Sequence, residues 1–110
     1  MTELRKQSCR PCEGGVEPMD LRQARDLMAQ IPQWTLDEAA PALVRDFRFA
    51  NFYETMAFVN AIAYIAHRED HHPDLRVGYN ECVVRYQTHA IGGLSDNDFI
   101  CAAKIDALGI

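Results

Sequence analysis

The spacing of apolar residues changes at Asn51, and no other feature of the chain restricts its fold as much. Over residues 42–50 the pattern alternates, with Leu43, Phe47 and Phe49 on one side and Asp46 and Arg48 on the other. That is the pattern of an antiparallel strand with one face buried. From Asn51 onward the spacing is helical. Phe52, Met56, Val59, Ile62, Ala63 and Ala66, with Phe58 and Ile65 alongside, cover a wide apolar arc. Asn51 is placed as the N-cap, with Glu54 able to reach back toward it. Pro73 disfavours helical geometry at His72, so the helix should end near Asp70 or His71. A long helix with so wide an arc is expected to lie across a sheet and to bury most of its length.

The flanking segments supply the rest of that sheet. Residues 1–18 contain Pro11, Gly14, Gly15 and Pro18 with little periodicity and read as an irregular arm, followed by a single domain over 19–110. Asp20 is a plausible N-cap with Gln23 three residues on. Leu21, Ala24, Leu27, Met28 and Ile31 share a helical face before Pro32. Trp34-Thr35-Leu36 reads as a short strand and Asp37 to Pro41 as a turn. Beyond Pro73, Leu75, Val77 and Tyr79 form one strand and residues 82–89 its partner, turning around Asn80-Glu81. In the second strand Cys82, Val84 and Tyr86 share one face, and Arg85, Gln87 and His89 the other. Ile91 to Leu94 is a loop. Ser95 caps a last helix whose apolar surface comes from Phe99, Ala102, Ala103 and Ile105. The expected fold class is α+β in two layers: a four-stranded antiparallel sheet with helices packed on one face. Its core order is β-β-α-β-β-α, preceded by an N-terminal helix.

Composition narrows the partners. The chain has 110 residues with 48% hydrophobic and 25% charged residues, as in one soluble globular domain. A net charge of −5 argues against a direct nucleic-acid partner, since no basic stripe is present to displace counterions. No apolar run approaches the roughly 20 residues of a membrane span. The opening Met1 to Gln7 has no apolar core of a signal peptide, so a cytoplasmic location is expected. The four cysteines are therefore expected to be reduced. Cys82 and Cys101 lie in apolar patterns and read as core. Cys9-Arg10-Pro11-Cys12 supplies two ligands where structural zinc wants four, and it lacks strand-turn-helix context. It reads as an incidental or weakly redox-sensitive pair in a mobile arm.

All four histidines, His67, His71, His72 and His89, lie within one short stretch. Imidazole can give or take a proton near neutral pH unaided, its unperturbed pKa being about 6.5. His71 falls at a helix C-terminus, where the macrodipole favours a cation. His89 falls at a strand exit, and antiparallel geometry can bring helix end and strand end to one rim. Two or three imidazoles around a small cleft suit a reaction that gives one proton and takes another. Other readings stay open. A histidine near a turn, such as His67, is usually just solvated. Asp98 completes a Ser-x-x-Asp cap with Ser95, though it could also accept a bond from an imidazole. Trp34 and Tyr79 can be core or rim aromatics. His67 and His71 at i, i+4, with His89 as a third ligand, would suit zinc. No glutamate is placed as in HExxH, however, and only Asp70 and Asp98 offer outer carboxylates.

The run His71-His72-Pro73, Tyr79, His89, Gly93-Leu94-Ser95 and Asp98 resembles the signature of the pterin-4a-carbinolamine dehydratases. Cys12-Glu13-Gly14-Gly15, the Trp34 strand, the Phe47-Arg48-Phe49 strand and the element order resemble the same family. The resemblance implies a metal-free, cofactor-independent lyase. It would remove water from the 4a-hydroxytetrahydropterin left by a pterin-dependent aromatic amino acid hydroxylase, giving quinonoid dihydropterin in tetrahydrobiopterin recycling. By position, it implies His71 and His89 as the acid–base pair and His72 as the group that binds and orients the pterin. It further implies that Asp98 holds His89 and contacts the substrate, and that Trp34 borders the pocket. His67 stands where many relatives carry a glutamate, and it is taken as a substrate contact. The family also implies a homodimer formed through sheet edges, or a homotetramer. Certain animal members double as dimerisation partners of a homeodomain transcription factor. A non-catalytic assembly module and a histidine-ligated metal enzyme are the alternative functions.

Overall fold

Two hairpins and a helix between them form the centre of the chain. The computed structural model describes residues 3–11 and 17–109. In chain order it contains α1 (Leu21–Leu27), β1 (Thr35–Asp37), β2 (Ala42–Arg48), α2 (Phe52–Glu69), β3 (Asp74–Val77), β4 (Glu81–Tyr86) and α3 (Asp96–Asp106). Short 3-10 turns occupy Leu4–Lys6, Met28–Gln30 and His89–Ile91. The strands form one sheet in the order β1-β2-β4-β3, and every neighbouring pair is antiparallel. This is the α+β fold that the change of period predicts.

The helix starts are set locally. Asp20 Oδ1 accepts from the Gln23 amide at 2.8 Å, and Asn51 Oδ1 accepts from the Glu54 amide at 2.9 Å. Glu54 reaches back as expected, but its carboxylate takes the Ala50 amide at 3.2 Å. In the sheet, Leu43 and Phe47 of β2 pair with Tyr86 and Cys82 of β4, so their side chains share a face. That face is buried with Val84 and meets Phe58 and Ile62 of α2 and Phe99 and Ile105 of α3. Arg45 falls on the same face by alternation. Its guanidinium is satisfied by Asp106 at 2.7 Å and lies over the Phe47 ring at 4.2 Å. Asp106 also accepts from Trp34 Nε1 at 2.8 Å, so one carboxylate ties the end of α3 to β2 and to the residue just before β1.

The structure corrects three of the expected elements. Helix α2 does not bury most of its length. Only Thr55, Phe58 and Ile62 are buried, while Tyr53 is 82% and Tyr64 61% exposed. The sheet is four short strands wide, so it covers one stripe of the helix, leaving Val59 and Ile65 half-buried beside it and Phe52 and Ala63 exposed. Tyr79 lies in the turn of the second hairpin, not in a strand. There the Gly78 amide bonds to the Glu81 carbonyl at 2.9 Å, and the Thr55 hydroxyl donates to the Tyr79 carbonyl at 2.9 Å, pinning the turn to α2. The predicted last strand is also shorter, ending at Tyr86 instead of His89.

Candidate functional site

The site begins where α2 stops. Asp70 takes the left-handed conformation, φ 51° and ψ 43°, which aspartate tolerates better than most residues. This reverses the chain after Glu69 and turns His71 inward. Its ring stacks on Tyr86, with centroids 5.6 Å apart and planes 13° apart. Its Nε2 meets Oδ1 of the fully buried Asp98 at 2.7 Å. Asp98 stands in the first turn of α3, capped by Ser95. Its other oxygen accepts from the Ser95 amide at 3.0 Å and from the Thr88 hydroxyl at 2.8 Å. Since the Thr88 proton goes to Asp98, Thr88 accepts from the Ser95 hydroxyl at 2.7 Å. The bridge between Thr88 and Gly93, with Gly92 at φ 69°, closes the loop that brings these two hydroxyls together.

This arrangement fixes the state of His71. A carboxylate can only accept, so Nε2 carries the hydrogen of their bond. Nδ1 has no hydrogen-bond partner among the described residues. Burial alone would lower the His71 pKa, but the hydrogen bond and negative charge of Asp98 outweigh it and leave the pKa above its ordinary value.

His71, His72 and His89 all line one cleft of about 530 Å³. That is within the roughly 300–1,000 Å³ usual for small-molecule sites. His72 donates through Nδ1 to the Pro73 carbonyl at 3.2 Å, so in the neutral ring Nε2 is an acceptor. His89 sits in the 3-10 turn with its side chain 63% exposed, and its Nε2 lies 3.7 Å from an Asp74 oxygen. Cys9, Arg10 and Pro11 add a further wall. They are held there by Glu69, which accepts from the Cys9 amide at 2.8 Å, and by Asn97. The Asn97 side chain accepts from the Arg10 amide at 2.9 Å and donates to the Arg10 carbonyl at 2.5 Å. A groove of similar size, about 510 Å³, runs between Arg5, Tyr64 and Leu108, but it holds no histidine.

Residues 17–108 match the family profile described as pterin 4 alpha carbinolamine dehydratase. The chain belongs to the pterin-4a-carbinolamine dehydratase family. A protein of Nitrosomonas europaea, named provisionally for this dehydratase, is 58% identical over 107 residues, 96% of this chain and 93% of its own length. One from Halorhodospira halophila, named in the same way, is 51% identical over 106 residues, covering 96% of this chain and 97% of that protein. Among solved structures, a transcriptional coactivator/pterin dehydratase from Brucella melitensis superposes with a TM-score of 0.79 at 25% identity. The match covers 84% of this chain and 98% of that one. A pterin dehydratase-like protein described as a RuBisCO assembly factor in the alpha-carboxysome shares the fold, with a TM-score of 0.60 at 23% identity over 69% of this chain and 88% of that one.

The family resemblance and the geometry diverge at three residues. Asp98 holds His71, not His89, because β4 ends at Tyr86 and the following turn carries His89 outward. Trp34 does not border the cleft. It precedes β1, at the sheet edge remote from β3, and is buried against Phe47 and Tyr86 with centroids at 6.2 Å. Tyr86 therefore separates Trp34 from His71. His67 is exposed on the last turn of α2 and is not part of the cleft wall. The left-handed Asp70 also takes His71 off the helical face of His67, which removes the i, i+4 geometry considered for zinc. Cys12 to Gly15, which contributed to the resemblance, lie outside the described residues. Sequence reasoning missed Thr88, the stacking of Tyr86 on His71 and the Cys9–Pro11 wall. Only the proximity of Thr88 to His89 hinted at any of them.

Proposed function

We propose that the cleft dehydrates a pterin 4a-carbinolamine to the quinonoid dihydropterin and water by histidine acid–base catalysis. The observation that supports this most is the convergence of His71, His72 and His89 on one cleft, with His71 locked to a buried carboxylate. Loss of the C4a hydroxyl as water requires a proton on that oxygen, and formation of the quinonoid ring requires loss of the N5 hydrogen. His71 is the better acid. Its raised pKa keeps it protonated further into the neutral range, and Nδ1 is the nitrogen free to point its proton at the hydroxyl. His89, on the mobile-solvent side of the cleft, is assigned as the base at N5. His72 orients the pterin through Nε2. Asp98 never meets substrate in this scheme, because it is fully buried behind His71. It is a positioning residue.

The reading places the enzyme downstream of a pterin-dependent aromatic amino acid hydroxylase, in the cytoplasm, as a homodimer or homotetramer. In support, β3 is an edge strand that exposes Leu75 and Val77, and α2 exposes Phe52, Tyr53 and Tyr64, surfaces that a second copy could cover. Sedimentation velocity on the full chain should therefore give more than a monomer mass. Among the described residues no helix is long and apolar enough to cross a membrane. The test of the chemistry is turnover of a 4a-hydroxytetrahydropterin followed by absorbance. His71→Ala and His89→Ala should each lower it by about 10²–10⁴-fold with the fold intact. Near-normal rates in both would defeat the proposal. The same exposed α2 face favours a second reading, a non-catalytic assembly module, which predicts no binding of a reduced pterin.

A further inference from the structure

The cleft wall contains a second chemical feature that the dehydration scheme does not use. Cys9 Sγ lies 3.5 Å from Cys101 Sγ, although the residues are 92 positions apart. We propose that Cys9 and Cys101 form a reversible dithiol–disulfide pair that takes a hydroperoxide as oxidant and, when closed, fastens the N-terminal segment to α3 as a fixed wall of the cleft.

Three observations carry this. The contact is held on both sides. The Cys9 amide is fixed by Glu69, and the next residue, Arg10, is gripped through its N–H and C=O by Asn97, one helical turn before Cys101 on α3. The pair is reachable, because Cys9 is partly exposed and lines the cleft while Cys101 is buried behind it. The surroundings also suit a thiolate. The Tyr86 hydroxyl is buried, has no hydrogen-bonding partner among the described residues and adjoins the Cys101 sulfur, where it can donate. The hydrogen bond from Cys9 pulls the Cys101 pKa down against the effect of burial, and His71 and Tyr86 add to it, while Cys9 is pushed up. The two sulfurs thus share the one proton that remains when the pair ionises. Cys82 shows the contrast. It is buried without a thiol neighbour, pushed up to about 11, and should be inert.

The chemistry balances with the peroxide alone. A thiolate sulfur attacks one peroxide oxygen, an S–O bond forms, the O–O bond breaks, and the departing alkoxide or hydroxide takes up the proton released by the thiol. The second thiol then attacks the sulfenic sulfur, forming the S–S bond and releasing water. Both sulfurs are oxidised and the peroxide is reduced. Closure from 3.5 Å to the bonded distance needs an approach of about 1.5 Å. The segment carrying Cys9 lies outside any regular helix or strand and can supply it.

The inference is independent of the pterin reading and survives its failure. The test treats the reduced full chain with hydrogen peroxide, alkylates remaining thiols and maps peptides without reduction. A Cys9–Cys101 linkage should form, reverse with dithiothreitol, persist in Cys12→Ser and Cys82→Ser, and vanish in Cys9→Ser. Trypsin should also cut the folded oxidised chain after Lys6, three residues before Cys9, at least tenfold more slowly than the reduced chain. A Cys9–Cys12 or intermolecular disulfide, sulfinic acid without a disulfide, or unreacted thiols would overturn the pairing. Unchanged cutting after Lys6 would overturn the fastening.

Discussion

Asp98→Asn replaces one oxygen of a fully buried carboxylate with an amide and leaves the volume nearly unchanged, so its effects should be electrostatic. The wild-type side chain accepts three bonds: from His71 at 2.7 Å, Thr88 at 2.8 Å and the Ser95 amide at 3.0 Å. Two of these share one oxygen, so the asparagine carbonyl should stay with Thr88 and Ser95 and the new NH2 should face His71. There it can only donate, which forces Nε2 to accept and moves the imidazole hydrogen to Nδ1. A bond to a charged group is worth about 1.5–3 kcal/mol, and that is the stability loss expected near neutral pH. The same loss removes the influence that raises the His71 pKa and leaves burial to lower it. A raised folded-state pKa stabilises fully below the unfolded value of about 6.5 and is lost as pH climbs through the folded one. The stability gap between wild type and Asp98→Asn should therefore widen from pH 8.5 to pH 5.5 in urea titrations. Turnover should fall by about 10²–10⁴-fold, with the alkaline limb of the kcat profile moved to lower pH. A variant with near wild-type turnover and an unmoved alkaline limb would refute the acid role of His71. A gap that narrows on acidification would refute the assigned sign of its pKa shift.

Two further substitutions probe the supports of the site. Asn97→Ala removes both bonds to the Arg10 backbone, each worth about 1 kcal/mol, and should raise KM for the carbinolamine with little change in kcat. An equal fall in kcat, with KM unchanged, would show that the Cys9–Pro11 wall acts in the chemical step. Phe58 is buried against Phe47 and Phe49, with centroids at 4.4 Å and 5.1 Å. Phe58→Ala should cost about 3–5 kcal/mol in urea unfolding without displacing the histidines.

What could be read from the sequence was whatever local physics decides. The switch from alternating to helical period at Asn51 marked β2 and α2, and Asp20, Asn51 and Ser95 announced their helices through side chains that bond within the next turn. Pro73 placed the end of α2 to within a residue. The errors arose where a tertiary contact decides. Tyr79 alternates correctly for a strand, but the hydrogen bond from Gly78 to Glu81 and the grip of Thr55 on its carbonyl make it a turn residue. The wide apolar arc of α2 shows how much surface could be buried, not how much the sheet can cover. The histidines that share the cleft were visible as a cluster, but the identity of the residue held by Asp98 was not. It depends on the left-handed Asp70 and on where β4 ends, and neither leaves a periodic trace. The docked N-terminal segment was equally silent, since its anchors, Glu69 and Asn97, lie 60 and 87 positions away.

The central claim is that three of the four imidazoles act together on one small molecule. Histidine side-chain NMR of the full chain, titrated with a non-reacting dihydropterin, tests this directly. The account predicts that ring signals of His71, His72 and His89 shift together and saturate at one ligand per chain, while His67 stays still. Movement of His67, or a silent His89 alongside a shifting His71, would contradict it.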